Sequence, residues 1–596
     1  MRKVFIKVFI IVSVLFAGYL LVDFITKAMP AIDGYFEAGG DHDEIRNRKI
    51  PYSRPLFEAS RLLPPGASVG FPGAQLRTID HIAMRYAVYP ARVKEPWNYA
   101  LDVAGKPDAA FSSWSSHALS GGAVLYVRPG YQLLNPSPPA PRNRGVERAF
   151  FFILSLTITL IGVQYLRALG IGPSVLGIAW FLATGYLCGF IIIHAMGWAV
   201  LLTGGILDAW SLAMVIVITA ASGRILKGCL RLQEIRMVVH AKEKDSFKRW
   251  RMFSRGSAFF VLMMVVLTTI VIPITVWDEM FIWIMRAKMM FFDGKIDFSY
   301  FPATNVYYPI LWPLHVHLFF KAAGGCFSEL LKWVSASVFL VFIAQLRAVC
   351  VFLKIDRSWV LAVIAVYLLV FMNFIFFTAL PENIFSALSL ATVAGLLLWL
   401  REGRRRYLAL AIFMALGLSG VKFEGAILAG ALAVCAALAG RVSGKSFRQL
   451  APLLWFIIPC AVPKLWTAWL TAHDHSFSIY HFGNPLVLDN VLAVGEVIGH
   501  SLLKWRNLLV IGLMAAGYAL FLRGRPWNQF QVFLWLAFLA FTGFSVVSVL
   551  FWPTGDIRLY YPEVLDRLFL RATPFLALFL ASRAIASAET RKKLNK

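Results

Sequence analysis

Charge is scarce in this sequence. Only 15% of its 596 residues are Asp, Glu, Lys or Arg, while 59% are hydrophobic and the mean hydropathy is +0.68. Soluble domains carry about a quarter charged residues, so a soluble globular fold is excluded and a membrane-embedded one is indicated. Acidic residues are the scarcer sign, 32 against 58 Lys plus Arg, for a net charge of +26. In a soluble protein that excess would point to nucleic acid, but in a membrane protein it equally describes cytoplasmic loops, so the positions of the charges decide. Cysteine is rare as well: the six, at 188, 229, 326, 350, 435 and 460, lie almost wholly in apolar runs or a basic loop. None falls in the polar stretch 28–146, which excludes a disulfide framework there. Gly-x-x-x-x-Gly-Lys and other nucleotide fingerprints are missing, so a phosphate loop is not expected.

What is present is a series of apolar runs near the length of about 20 residues that a membrane-spanning helix needs. Met1-Arg2-Lys3 precedes one that reaches residue 27, read as an uncleaved helix with its N-terminus inside, cleavage being the alternative. Residues 28–146 differ in texture, with Pro and Gly clusters, strand-like stretches at 67–71 and 123–127 and a helix-like segment at 78–89. That mixture suits a small extracytoplasmic α/β domain ending in a Pro- and Arg-rich linker at 135–144. No metal or nucleophile constellation occurs in it.

Further runs occupy 148–168, 172–194, 198–222 and 256–276. The loop before the last of these carries Arg224, Lys227, Arg231, Arg236, Lys242, Lys244, Lys248, Arg249, Arg251 and Arg255. It reads as cytoplasmic topological charge with anionic-lipid contacts rather than as a nucleic-acid surface. Beyond 276 the apolar segment 308–320 could cross or lie along the surface. If it does not cross, the runs at 329–353, 359–379, 383–400, 407–421, 424–440, 451–470, 507–523, 529–552 and 569–587 place every later basic cluster inside. The expectation is about 14 spans with both termini cytoplasmic.

With that topology the polar residues gather on the outer side. Asp278 and Glu279 end a span behind Trp277, where two adjacent carboxylates are costly enough to suggest a general base or a metal ligand rather than an interfacial cap. Residues 280–292, carrying Arg286 and Lys288, read as an interfacial helix with aromatics among headgroups and cations near phosphates. The segment 307–317 is of the same kind, and its His315 and His317 share a strand face but not a helix face, which argues against a zinc pair. Glu382 tops a later span, and Lys422 and Glu424 lie in the turn between two apolar helices. Asp566, Arg567 and Arg571 precede the last span. Singly, each cation could simply snorkel, but together they make a site for a lipid phosphate beside carboxylates for acid/base or metal work. Lys464 is a further phosphate candidate, and His473, Asp474 and His475, with His481, Glu496 and His500, a weaker metal candidate.

Trp277-Asp278-Glu279 at a span end, the Arg286/Lys288 helix, Tyr308-Pro-Ile-Leu-Trp-Pro-Leu314, Glu382, Lys422-Phe-Glu-Gly425 and Asp566-Arg567 together resemble the GT-C superfamily over residues 256–588. These integral-membrane glycosyltransferases use polyprenyl-phosphate sugars and include protein O-mannosyltransferases and the aminoarabinose transferases of lipid A. The resemblance implies Asp278 as catalytic base, with Glu279 as runner-up. It implies Arg286, Lys288, Lys422 and Arg567 as donor-phosphate contacts, and Glu382 or Glu424 as acceptor-orienting or metal-holding. It also implies a polyprenyl-phosphate-linked donor, a lipid, polysaccharide or protein acceptor, and no nucleic acid. Outer acidic residues permit a divalent metal ion, though a lysine-rich site can act without one. Two departures stand out: four spans and the α/β domain precede the core, and the second outer carboxylate site reads Pro-Glu-Asn, without the Asp expected there.

The fold class expected is therefore mainly α: a polytopic inner-membrane protein with a GT-C-like core and a small α/β domain. Its parts are an N-terminal helix at 1–27, the α/β domain at 28–146, additional spans and a basic loop at 147–255, the catalytic core at 256–588 and a tail at 589–596. A transporter or flippase of a lipid-linked glycan should instead show polar positions near mid-membrane and symmetric halves. A sensor or scaffold would use residues 28–146 and leave the outer charges of the second half unexplained.

Overall fold

The computed structural model describes most of residues 53–71 and 92–134, then 144–230, most of 279–355, 381–475, 527–550, 571–582 and a few isolated positions near 263–270 and 495–496. The expected helix at 78–89, the spans at 1–27, 256–276, 359–379 and 507–523, most of the basic loop and the tail lie outside the described residues, apart from those isolated positions. The described part is mainly helical. Seven of its helices are long and apolar enough, by length and composition, to cross a membrane.

The α/β unit forms as the alternation of its sequence requires. Helix α1 (Ser53–Leu62) is followed by β1 (Ser68–Gly70), β2 (Arg92–Val93), β3 (Tyr99–Asp102), β4 (Ser115–Ala118) and β5 (Val124–Val127). The sheet order is β2-β1-β3-β5-β4, with β1 parallel to both neighbours and β5 antiparallel to β3 and β4. Leu56, Leu62, Val69, Leu101 and Leu125 make one core. Phe111 and Tyr126, stacked with centroids 5.2 Å apart, belong to a second. Both strand-like stretches read from the sequence are strands.

The helical part consists of α2 (Arg144–Ala168), α3 (Ile178–Leu202), α4 (Ala209–Leu230), α5 (Met285–Asp293), α6 (Leu311–Ala323), α7 (Ser328–Phe352), α8 (Glu382–Glu402), α9 (Arg405–Val421), α10 (Glu424–Val442), α11 (Ile457–Ala472), α12 (Gln529–Leu550) and α13 (Arg571–Ser582). Every residue of α8 from Glu382 to Leu400 is buried, so this helix is an axis on which α7 and α9 pack. A helix that is apolar all round belongs in a protein interior or in lipid, and this one is enclosed by protein. Its Ser389 and Thr392 hydroxyls donate to the carbonyls of Phe385 and Leu388, which removes their unsatisfied donors from the core.

Helices α2 and α3 cross at backbone distance. A Cβ on Gly162 would stand 1.8 Å from the carbonyl oxygen of Gly185, and one on Gly189 would stand 1.9 Å from that of Ile158. Close approach through small residues is how apolar helices gain packing energy where lipid offers no hydrophobic drive. At the start of α2, Arg148 reaches Glu329 at the start of α7 at 2.8 Å, tying the two helix ends together.

The break expected between 194 and 198 is not there, since α3 runs on to Leu202. His194 and Gly197 resemble a loop signal, yet each has a packing reason. The His194 ring bonds His315 at 2.9 Å, and Gly197 lies against Leu314. A second difference concerns α5 and α6, expected as interfacial helices along the surface. Leu311 to Phe320 of α6 are all buried, as are most residues of α5, so both are inside the protein and not spread on its outer surface.

The two ends of the bundle differ in charge. Arg401 packs on the Phe352 ring at 4.4 Å, Lys445 faces Trp399 at 6.0 Å and Arg406 donates to the carbonyl of Gly170, so the ends of α2, α7, α8 and α10 and the start of α9 share one basic end. The starts of α8 and α10, the end of α9 and Arg571 of α13 meet at the opposite end.

Candidate functional site

Glu382 is the first residue of α8, where the partial positive charge of a helix N-terminus favours a carboxylate. Lys422 caps the C-terminus of α9 in an extended backbone conformation, where a cation is equally favoured. The Lys422 ammonium donates to Oε1 of Glu382 at 2.6 Å. Arg571 Nη2, from α13, reaches the same oxygen at 3.3 Å. The three are 3%, 7% and 5% exposed, so this is a buried cluster of two cations on one carboxylate oxygen. Glu424, half-buried in the first turn of α10, acts on Lys422 through space.

Burial pushes the Lys422 ammonium below its ordinary range, Glu382 raises it again and Arg571 lowers it. Among the described residues Arg571 is held by one hydrogen bond and by the Phe385 ring, 4.5 Å from its guanidinium carbon. Its Nε and Nη1 are buried and meet no acceptor among the described residues. A buried guanidinium with open donors is costly unless something completes it, which is the chemistry of an anion receptor.

An aromatic wall adjoins the cluster. Trp283 lies 5.7 Å from Lys422 Nζ, Tyr308 lies 5.3 Å from Trp283, and Tyr307 stacks on Tyr308 at 4.5 Å and edges Phe423 at 5.9 Å. Arg286, fully buried, donates to the Tyr308 carbonyl at 2.7 Å and sits over Phe301. Trp466 of α11 donates to the Tyr307 carbonyl at 3.0 Å, fixing the wall from its other side.

The structure thus brings together Glu382, Lys422 and Glu424, with Arg286 one aromatic layer away. Lys288 does not join them: two positions after Arg286 on a helix it points elsewhere and lies within electrostatic reach of Cys326. Lys464 is exposed on α11 and is not part of the cluster. Asp278, Asp566 and Arg567 lie outside the described residues, as does the Glu279 side chain. The backbone at Glu279 opens a π-helical turn, Glu279–Ile284, that carries Trp283 against Lys422. Arg571, named with Asp566 and Arg567 among the charges before the last span, joins the cluster.

His315 and His317 lie on α6 and face different partners. His315 bonds Tyr186 at 2.8 Å and His194 at 2.9 Å, while His317 lies 3.2 Å from the Leu207 carbonyl. His473 stacks on Trp469 at 4.3 Å and lies 2.9 Å from its carbonyl. Among the described residues there is no group of three His, Cys, Asp or Glu able to hold a metal ion. No family model matches the chain, and no curated protein or solved structure matches it at a significant level.

Proposed function

We propose that this chain is a membrane glycosyltransferase that moves a sugar from a polyprenyl-phosphate donor to an acceptor at the outer face of a cytoplasmic membrane. The observation that carries the reading is Glu382 bound by both Lys422 and Arg571 at one end of an apolar bundle, with two Arg571 donors meeting no acceptor among the described residues. A phosphate leaving group needs such cations, because the charge that develops on it in a water-poor site is stabilised by fixed donors. The resemblance in residue order to polyprenyl-phosphate-dependent transferases supports the same reading.

In the reaction the acceptor hydroxyl oxygen attacks the anomeric carbon of the donor sugar. The bond from that carbon to the phosphate oxygen breaks, its electron pair stays with the phosphate, and the hydroxyl proton passes to the carboxylate of Asp278, or to Glu279. Lys422, Arg571 and Arg286 serve the departing phosphate. Glu382 holds the cations in register, and Glu424 orients the acceptor.

The test is a mass-spectrometric comparison of envelope glycolipids and polysaccharides from cells with the protein, without it, and with Asp278→Asn at equal expression. Loss of one sugar in both altered strains supports the transferase and names its product. An unchanged profile in both discards it. A flippase of a lipid-linked glycan is the second reading, favoured by polar pairs inside the bundle such as Gln345 to Thr184 at 2.9 Å. Its mark would be accumulation of a complete lipid-linked glycan.

A further inference from the structure

We propose that the turn joining α10 to α11 is a binding site for an anionic phospholipid headgroup, with Arg441, Lys445 and Arg448 as its cations and Phe447 and Trp455 as its anchors at the acyl boundary. The turn lies at the basic end of the bundle, away from the Glu382 cluster, and the inference is independent of the transferase reading.

The segment from Arg441 to Ile458 contains no Asp or Glu. The nearby Glu402 is already engaged by Arg401 at 3.0 Å and Arg404 at 3.6 Å. The turn is built, not frayed: Ser446 and Gln449 form a reciprocal capping box that fixes its short helix. Phe447 is 76% exposed, and the Arg441 guanidinium carbon stands 4.4 Å from its ring centre. Arg441 Nη1 donates to the Lys445 carbonyl at 2.9 Å, which sets the rest of the guanidinium outward beside an exposed aromatic. Arg448 is exposed on the next turn.

The surface continuing from this turn decides the partner. Leu454 is 76% exposed, Trp455 62%, Ile457 72% and, farther along α11, Leu465 70%. A face of that kind is covered by acyl chains, and an aromatic pair with cations at its edge is the composition of a headgroup layer. An acidic soluble partner would match the cations and leave the apolar strip in water. A zwitterionic lipid would satisfy the strip and leave three cations without net counter-charge. An anionic phospholipid satisfies both.

The experiment uses the full chain in lipid nanodiscs of phosphatidylcholine with and without phosphatidylglycerol, released into native mass spectrometry to count retained lipids. Wild type should retain phosphatidylglycerol in preference to phosphatidylcholine, and added inorganic phosphate should not displace it. Each cation near an anionic surface contributes roughly a fivefold factor, so Arg441→Gln, Lys445→Gln and Arg448→Gln together should weaken phosphatidylglycerol retention by about a hundredfold. The charge-preserving pair Arg441→Lys and Arg448→Lys should keep most of it, and Lys464→Gln, in the middle of α11 and away from the turn, should change nothing. Equal retention of the two lipids by wild type, equal retention by the triple variant beside an intact Lys-substituted pair, or displacement by inorganic phosphate would each overturn the proposal.

Discussion

Arg571 reaches Oε1 of Glu382 at 3.3 Å across 189 residues of sequence, and it shares that oxygen with Lys422. Two buried cations are therefore held close together by a single carboxylate, and the carboxylate is the member of the cluster that cannot be spared.

Glu382→Gln should consequently destabilise the protein more than Lys422→Met does. Removing the anion leaves two uncompensated buried charges, at a cost of about 3–5 kcal/mol, whereas removing Lys422 leaves a one-to-one pair with Arg571. Thermal unfolding of both variants in the same detergent is the measurement. Equal or reversed destabilisation would show that Glu382 is not the hub.

Donor binding should fall on the alkaline side, starting below the ordinary lysine value of 10.5, because burial has lowered the Lys422 ammonium. The sign for stability is opposite. A lysine lowered on folding binds fewer protons folded than unfolded between its two values, so its contribution to stability improves as pH rises through that window. Lys422→Arg should move the binding fall to higher pH, since a guanidinium stays charged. A profile unaffected by that substitution would remove Lys422 from anion binding.

Gly189→Val should break the crossing of α2 and α3. The new Cβ would meet the Ile158 carbonyl oxygen at 1.9 Å, a backbone atom that cannot rotate away. Overpacking of this kind costs about 1–3 kcal/mol, and it should appear as a lowered unfolding temperature. Gly430→Ala, whose Cβ meets only the Cys460 sulfur at 3.2 Å, is the milder control.

Tyr186→Phe should cost about 1 kcal/mol for each hydrogen bond lost, the hydroxyl meeting both His315 and Ser337, and His315→Phe should cost about as much, because that ring contacts both Tyr186 and His194. Both should weaken donor binding through α6, whose preceding residues Tyr307 and Tyr308 line the site. A normal affinity in His315→Phe with lowered stability would confine the network to a structural role.

The long helices were legible because their signal is additive: twenty apolar residues outvote any single exception. Most observed boundaries fall within a few residues of the runs read from hydropathy, as α8, α9 and α10 do at their starts. The reading that ended one run at 194 and began the next at 198 split a helix that continues to Leu202. A sequence displays the cost of burying an imidazole but not the partner 121 positions away that offsets it. Glu382, Lys422 and Glu424 were legible as charges at apolar helix ends, and such ends must lie at a face of the bundle. Lys288 and Lys464 look the same in a linear string. Only the angular position around the helix separates them from Arg286, and short helices with aromatics on every side offer little periodicity from which to derive that angle.

The cluster is assembled from helix ends that leave the ribosome far apart in time. Glu382 and Lys422 belong to one pair of antiparallel helices and can neutralise each other as soon as that pair is inserted. At that stage the future site carries one balanced pair. The second cation arrives only with α13, 189 residues after Glu382. The two-cation cluster is thus complete only once α13 is in place, and a chain that stops before it holds its carboxylate in a one-to-one pair.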